Sequence, residues 1–188
     1  MARFLSSVFI AGMLCGCGRA GIDAAGAAAD AAWGEFGGHL AEQVALLGSI
    51  EEPVCAAATG KEACVHLREA IKSAGAVDLA KVDPTDRGAV EPARRYLRSL
   101  GQAAERLGQF AGKEQPSDAQ PAAGIARFKQ LAVETAAASE RYDTAVLAYN
   151  RALRTFPESV TNNMFLRLKS REYLNSDQRA RRTNAGKR

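Results

Sequence analysis

Between residues 125 and 156 the side chains recur with a period that suits a helix and nothing else. Every seventh position reads Phe128, Thr135, Tyr142, Tyr149 and Phe156, and a companion row offset by three reads Leu131, Ala138, Ala145 and Ala152. Rows three and four residues apart, sustained along the whole stretch, describe one stripe on a long helix. One row is mostly bulky and the other mostly alanine. The spacing therefore predicts a neighbouring helix lying close along the alanine side, with Asp143 and Arg151 off the stripe. Pro157 stops the run, because proline disfavours helical geometry in the residue before it. At 1.5 Å per residue such a helix is roughly 48 Å long, more than a compact globule needs.

A second pair of rows lies towards the other end of the chain. Ile22, Ala29, Phe36, Gln43 and Ile50 form one, and Gly26, Trp33, Leu40 and Leu47 the other, predicting a first long helix over about 22–50. Gly37 and Gly38 weaken it by roughly 1 kcal/mol each. Gln43, the polar member of the seam, reads as a partly exposed edge position in preference to a buried register pin. Trp33 reads as core in preference to a ligand platform. Between the two long helices, residues 62–74 predict a short helix with Leu67, Ile71 and Ala74 inward. A loop over 75–87 ends in residues suited to capping the next helix. Val90, Ala93, Leu97, Leu100, Ala104, Leu107 and Ala111 then keep helical spacing, and Pro92 is tolerable in the first turn. Residues 113–123, with Pro116 and Pro121, read as a second loop. Residues 160–174 read as a short amphipathic helix with Met164, Phe165 and Leu168 on its apolar side. No segment sustains a period of two, aromatic residues are only 6% and alanine is abundant. The class is all-α, an elongated antiparallel bundle of about four long or medium helices, and 188 residues suit one domain.

The first seventeen residues read as a targeting segment. Arg3 is followed by a largely apolar stretch from Phe4 to Leu14, too short to span a bilayer, which takes about 20 residues. Leu14-Cys15-Gly16-Cys17 resembles a bacterial lipobox, with Cys17 as lipid acceptor and first residue of the mature chain. An ordinary signal peptide cleaved nearby is the alternative. The two or three acyl chains of a lipoprotein anchor stably where one does not.

Two blocks of sequence resemble the LemA family. Tyr142-Asp143-Thr144-Ala145-Val146, followed by Tyr149-Asn150-Arg151-Ala152-Leu153-Arg154-Thr155-Phe156-Pro157, is similar to its closing signature, a tyrosine-rich helix ending in Tyr-Asn and then Phe-Pro. Asp30-Ala31-Ala32-Trp33, with Leu40 and Leu46-Leu47 after it, resembles the family's first long helix. The chain departs from the pattern at Gln43, Gly48 and Ser49, where the family has arginine, proline and asparagine. The resemblance makes Trp33, Tyr142, Tyr149, Asn150, Phe156 and Pro157 the motif residues. It implies a LemA-like bundle over 18–174 at a membrane surface, here held by a lipid in place of the family's N-terminal membrane helix. It implies no particular reaction.

Once Cys15 leaves with the leader and Cys17 carries lipid, Cys55 and Cys64 remain. An even pair beside a turn bracketed by Pro53 and Gly60 reads as a disulfide in an oxidising compartment, provided that the chain reverses between them. Two free thiols packed as small apolar groups are the alternative. No metal site follows, since His66 and two cysteines lack a fourth ligand at a familiar spacing.

Charge is concentrated at the C-terminus. From Arg167 onward there are eight Lys or Arg against Glu172 and Asp177, in a chain whose net charge is +4. Residues 175–188 have no apolar periodicity and read as a basic disordered tail, a solvated end in preference to a lipid-binding one. Nucleic acid is an unfavoured partner, because no stacking aromatics interleave the charges. His39 and His66, the two histidines, sit on predicted helices outside any nucleophile motif, and no phosphate-cradling glycine loop is present. Glu134 and Glu140 are six apart and do not share a helix face. The expected function is therefore a membrane-anchored helical scaffold or interaction protein of the bacterial cell envelope. It is not an enzyme and has no cofactor or identified small-molecule substrate. It faces the periplasm or exterior, bound to the membrane by its lipid and to an envelope protein partner. The alternative is an envelope lipoprotein with a ligand-binding or enzymatic site built from scattered residues.

Overall fold

The computed structural model describes residues 2–56, 61–79, 81–113 and 119–175. It is all-helical: α1 (Ala2–Ala56), α2 (Lys61–Gly75), α3 (Arg87–Lys113), α4 (Ala119–Ala152) and a single turn, α5 (Glu158–Thr161), followed by a π-helical turn over Asn162–Leu166. No strand occurs among the described residues.

The two long helices pack side by side in opposite directions. Ile50 meets Gly124 at one end, Gln43 meets Thr135 in the middle, Trp33 meets Tyr142 further on, and Gly26 lies beside Tyr149. On α1 both heptad rows are where the sequence puts them. Ile22, Ala29, Phe36, Gln43 and Ile50 are buried, as are Leu40 and Leu47, while Trp33 is half-buried. Along α4 the bulky row holds through Phe128, Thr135, Tyr142 and Tyr149, and the companion row through Leu131 and Ala138. Ala145 and Ala152 are only half-buried, Phe156 is exposed, and Val146, Leu153, Ser139, Asp143 and Asn150 are buried instead. A straight helix advances 3.6 residues per turn and drifts about 20° per heptad, so the later members of the alanine row rotate towards the edge of the contact and Val146 and Leu153 take the inward places. The expectation that Asp143 lies off the packed face is therefore wrong, as is Phe156 as a core residue.

Gln43 is also not at an edge. It is fully buried, and its Oε1 accepts from the Tyr96 hydroxyl at 2.9 Å and the Thr135 hydroxyl at 3.1 Å. One amide thereby joins α1, α3 and α4. Burial pushes the Tyr96 phenol well above its usual range. Gln43 Nε2 has no partner among the described residues, a cost of about 1–3 kcal/mol that a fully satisfied node would not carry.

α1 runs through Pro53 to Ala56, beyond its expected end near residue 50. Proline removes one hydrogen bond there, and the complete burial of Val54 with Ile50, Leu67 and Leu107 offsets part of the loss. Cys55 and Cys64 bridge the ends of α1 and α2, their Cα atoms 5.0 Å apart. Closing a loop of this length stabilises by roughly 2.5–3 kcal/mol on the chain-entropy estimate. Gly60, like residues 114–118 of the second expected loop, lies outside the described residues. α3 starts at a cap in which the Asp86 carboxylate accepts from Gly88 N at 2.8 Å. Its buried face, through Tyr96, Leu100, Ala103, Leu107 and Phe110, is turned from the expected one, leaving Leu97, Ala104 and Ala111 half-buried. The C-terminal region departs most. In place of a helix over 160–174, Arg167 adopts a left-handed conformation (φ 52°) and the chain runs non-helically to Asn175.

The closeness of α1 and α4 at their far end gives a test. A Cβ on Gly124 would lie 2.6 Å from Ile50 Cγ2, a stiff and buried branch, whereas one on Gly38 or Gly48 meets nothing within 4 Å. Gly124→Ala should cost about 1–2 kcal/mol although alanine is the better helix former. Gly38→Ala and Gly48→Ala should each stabilise by up to about 1 kcal/mol, read from denaturant midpoints.

Candidate functional site

Beyond Thr135, the polar side chains that α4 turns inward converge on one object, the segment 168–175. Asn150 pairs with both polar groups of Arg171: its Oδ1 accepts from Arg171 N at 2.8 Å and its Nδ2 donates to Arg171 O at 2.9 Å. Asp143 accepts from Leu174 N at 2.6 Å and from Asn175 N at 2.9 Å, one bond to each oxygen. The Tyr142 hydroxyl donates to Glu172 O at 3.2 Å, and Ser139 Oγ accepts from the Asn175 side chain at 3.3 Å. Asn162 repeats the carboxamide pairing on Leu168, accepting its N–H at 2.7 Å and donating to its carbonyl at 3.3 Å. These residues hold an extended strap along α4 by its backbone.

The neighbouring elements complete the hold. Arg94 of α3, 7% exposed, donates from Nε and Nη2 to Tyr173 O at 2.9 and 2.6 Å, and from Nη2 to the Glu172 carboxylate at 3.0 Å. Glu172 N donates to Pro84 O in the loop before α3. Arg171 reaches Asp30 of α1 at 2.6 Å with its guanidinium carbon 4.8 Å from the centre of the Tyr149 ring. Leu174 is buried among Phe36, Val90, Ala93, Ala138, Tyr142 and Val146, so the strap carries an apolar plug at its end. Asn175, expected at the start of a disordered tail, is fixed; residues 176–188 lie outside the described residues.

Electrostatics fit this holding role. Burial pushes the Asp143 carboxyl above the usual aspartate range, while the hydrogen bonds from Asn175 and Leu174 and the charge of Arg94 pull it back. Burial likewise pushes the Tyr142 phenol well up, keeping it a neutral donor. Both groups are engaged with the strap.

Most of the motif residues fall together here. Trp33 and Tyr142 stack obliquely, ring centres 4.9 Å apart, with Phe36 5.8 Å from Trp33. The Trp33 indole N–H points at Leu79 O, 3.4 Å away. Tyr149 packs with Ile22 and Leu153, and Asn150 holds the strap. Phe156 and Pro157 lie apart from the cluster, past the end of α4, and Phe156 is left in water. The side chain of Cys17 lies outside the described residues. Cys55 and Cys64 sit at the opposite end of the seam, beside an open depression lined by Gly48, Glu51, Glu52 and Arg68, where Arg68 is already paired with Glu51 at 2.9 Å. His39 lies 4.0 Å from Glu35 and 3.9 Å from Glu134, beyond hydrogen-bond range. No group of three metal-ligating side chains gathers among the described residues.

Sequence reading missed Arg94, Ser139, Asp143 and Asn162. The available signal was the offset of Ser139, Asp143 and Asn150, four and eleven residues along α4, which puts three hydrogen-bonding side chains on one line of a straight helix. The strap makes Asp143 far more sensitive than Ala145. Asp143→Leu strips the acceptor from two backbone N–H groups and should cost about 3 kcal/mol or more. Asn150→Ala should cost about 1–3 kcal/mol, and Ala145→Leu, at a half-buried position, no more than about 1 kcal/mol. Denaturant midpoints of the three variants give the order. Equal effects of Asp143→Leu and Ala145→Leu would contradict the clamp.

Comparison of the chain with protein-family models, with curated proteins and with solved structures finds no significant match to any of them.

Proposed function

We propose that this protein is a lipid-anchored scaffold of the bacterial cell envelope, a LemA-like antiparallel bundle of four helices tethered through Cys17. In this reading it acts by holding an envelope protein partner, without chemistry of its own. The observation that carries the reading is the meeting of the two sequence blocks on which the LemA resemblance rests. Trp33 of the first block lies against Tyr142 of the second, and Asn150 of the same helix fastens the C-terminal strap. The inward polar groups of that region are engaged with the chain's own backbone, as a structural element requires. The space between α1 and α4 is filled by alanine and aromatic side chains such as Ala29, Phe36, Ala138 and Tyr142, the interior expected of a scaffold.

Intact mass of the protein extracted from bacterial membranes tests the anchor. The expected mass is that of a chain beginning at Cys17 and carrying diacylglyceryl and acyl groups, and Cys17→Ser should move the protein to the soluble fraction. An unmodified mass, or a start elsewhere, overturns the anchor. Thiol labelling of the unreduced, denatured protein tests the bridge: Cys55 and Cys64 should both resist labelling, and full labelling of both means that there is no bridge. In-cell crosslinking then identifies the partner. A substrate screen that finds turnover abolished by one substitution would replace the scaffold with an enzyme.

A further inference from the structure

The exposed apolar side chains are not scattered. Phe156, Val160, Met164, Phe165 and Leu168 are 41–67% exposed and fall within thirteen residues; the other large exposed hydrophobics among the described residues are Val65 and Val133, each alone. This knuckle is α5 with the π-helical turn, folded back by the left-handed Arg167. Its inner side is used. Leu166 packs on the cluster of Ile22, Tyr149 and Leu153, Thr161 and Asn162 are buried, and the Glu158 carboxylate sits where a Cβ on Gly21 would go. Its outer side presents five bulky groups to water.

Two further features say what covers that outer side. Arg151, Arg154, Arg167 and Lys169 flank the apolar groups in sequence and are exposed, against Glu158 as the acidic residue of the same stretch, while the charge of Lys169 also acts on Asp83 of the loop before α3. A short stretch that exposes five bulky apolar groups and several cations is complementary to an anionic lipid surface, which takes apolar side chains below its headgroups and cations among them. The knuckle also abuts α1 at Gly21 and Ile22. Ile22 is five residues from Cys17, about 7.5 Å along the helix. A protein tethered at Cys17 therefore carries the knuckle at its tethered end, within reach of the lipid headgroups.

We propose that the 156–168 knuckle is a second membrane contact, seated in the interface of an anionic bilayer so that the bundle is held at two points and stands on the membrane in a fixed orientation. One point lets the bundle swing about the tether. Two set the direction in which α1 and α4 project and so which faces an envelope partner can reach. The proposal rests on the tether of the preceding section for its biological setting, while the patch itself can be tested without it.

The test places an indole in the knuckle. Phe165→Trp in the full chain is compared with the parent, whose Trp33 lies about 16 Å further along α1 than Ile22 and reports the background. Vesicles contain phosphatidylglycerol and phosphatidylcholine with brominated acyl chains, which quench indoles that enter the bilayer. In the lipidated protein the added indole should be quenched and blue-shifted, and Trp33 should not. In Cys17→Ser the same quenching should appear on adding vesicles, weaken with salt and with phosphatidylcholine alone, and fall about tenfold in apparent affinity in Met164→Ser/Val160→Ser, whose substitutions are at exposed sites. A water-exposed, unquenched indole at position 165 in protein that remains anchored overturns the knuckle and leaves the tether standing. Native protein that proves to carry no lipid on Cys17, and is still quenched by added vesicles, supports the knuckle and removes the tether. Loss of indole exposure that instead follows protein concentration, without vesicles, assigns the patch to a second copy and overturns the proposal.

Discussion

Because α1 and α4 lie antiparallel against each other over most of α4, every other element takes its position from their seam. The contact is closest where Gly124 admits Ile50, is pinned midway by Gln43 with Thr135 and Tyr96, and is filled beyond that by Trp33, Phe36 and Tyr142. α2 and α3 cover one end of it with apolar packing, and the Cys55–Cys64 bridge ties α2 to α1 there. The other end is covered differently. There the first turns of α3 share the work with the strap of residues 168–175, which closes the seam through hydrogen bonds and the plug of Leu174.

An extended segment has no internal hydrogen bonds, so a strap buried on a bundle must find partners for its backbone elsewhere. α4 supplies them from side chains, which explains why a helix so rich in alanine carries Ser139, Asp143 and Asn150 on an inward line. The arrangement is demanding. Each carboxamide or carboxylate must sit within hydrogen-bond reach of groups fixed by a different part of the chain, and Arg94 must arrive from α3 at the same place. The packing of Trp33 on Tyr142 and the hold on the strap thus share residues, and the region of α4 that resembles the LemA signature is where the two coincide.

The helices were legible in sequence to the extent that one face of each meets one neighbour. The heptad rows of α1 read correctly from Ile22 to Ile50, since that face packs inward along its whole length. On α4 the bulky row read correctly as far as Tyr149 and the alanine row as far as Ala138, where a second partner begins to claim part of the surface. Asp143 was placed off the stripe because it is polar and its partners, Leu174 and Asn175, lie more than thirty residues away on a different part of the chain. Gln43 failed for the same reason, its partners being on two other helices. Met164, Phe165 and Leu168 have helical spacing, and spacing alone could not reveal that the turn reverses at Arg167 and leaves them outside. The disulfide was easier, because a pair of cysteines flanking a turn needs only a reversal of the chain.

The most direct measurement of the clamp is amide hydrogen exchange resolved at Leu174 and Asn175. Both N–H groups end on Asp143, so their exchange should be slowed to the range of the buried amides of α4, opening only when the bundle itself opens. Exchange at the rate of a free peptide, with the α4 amides still protected, would mean that the strap does not close the seam and that the inward line of Ser139, Asp143 and Asn150 serves something else.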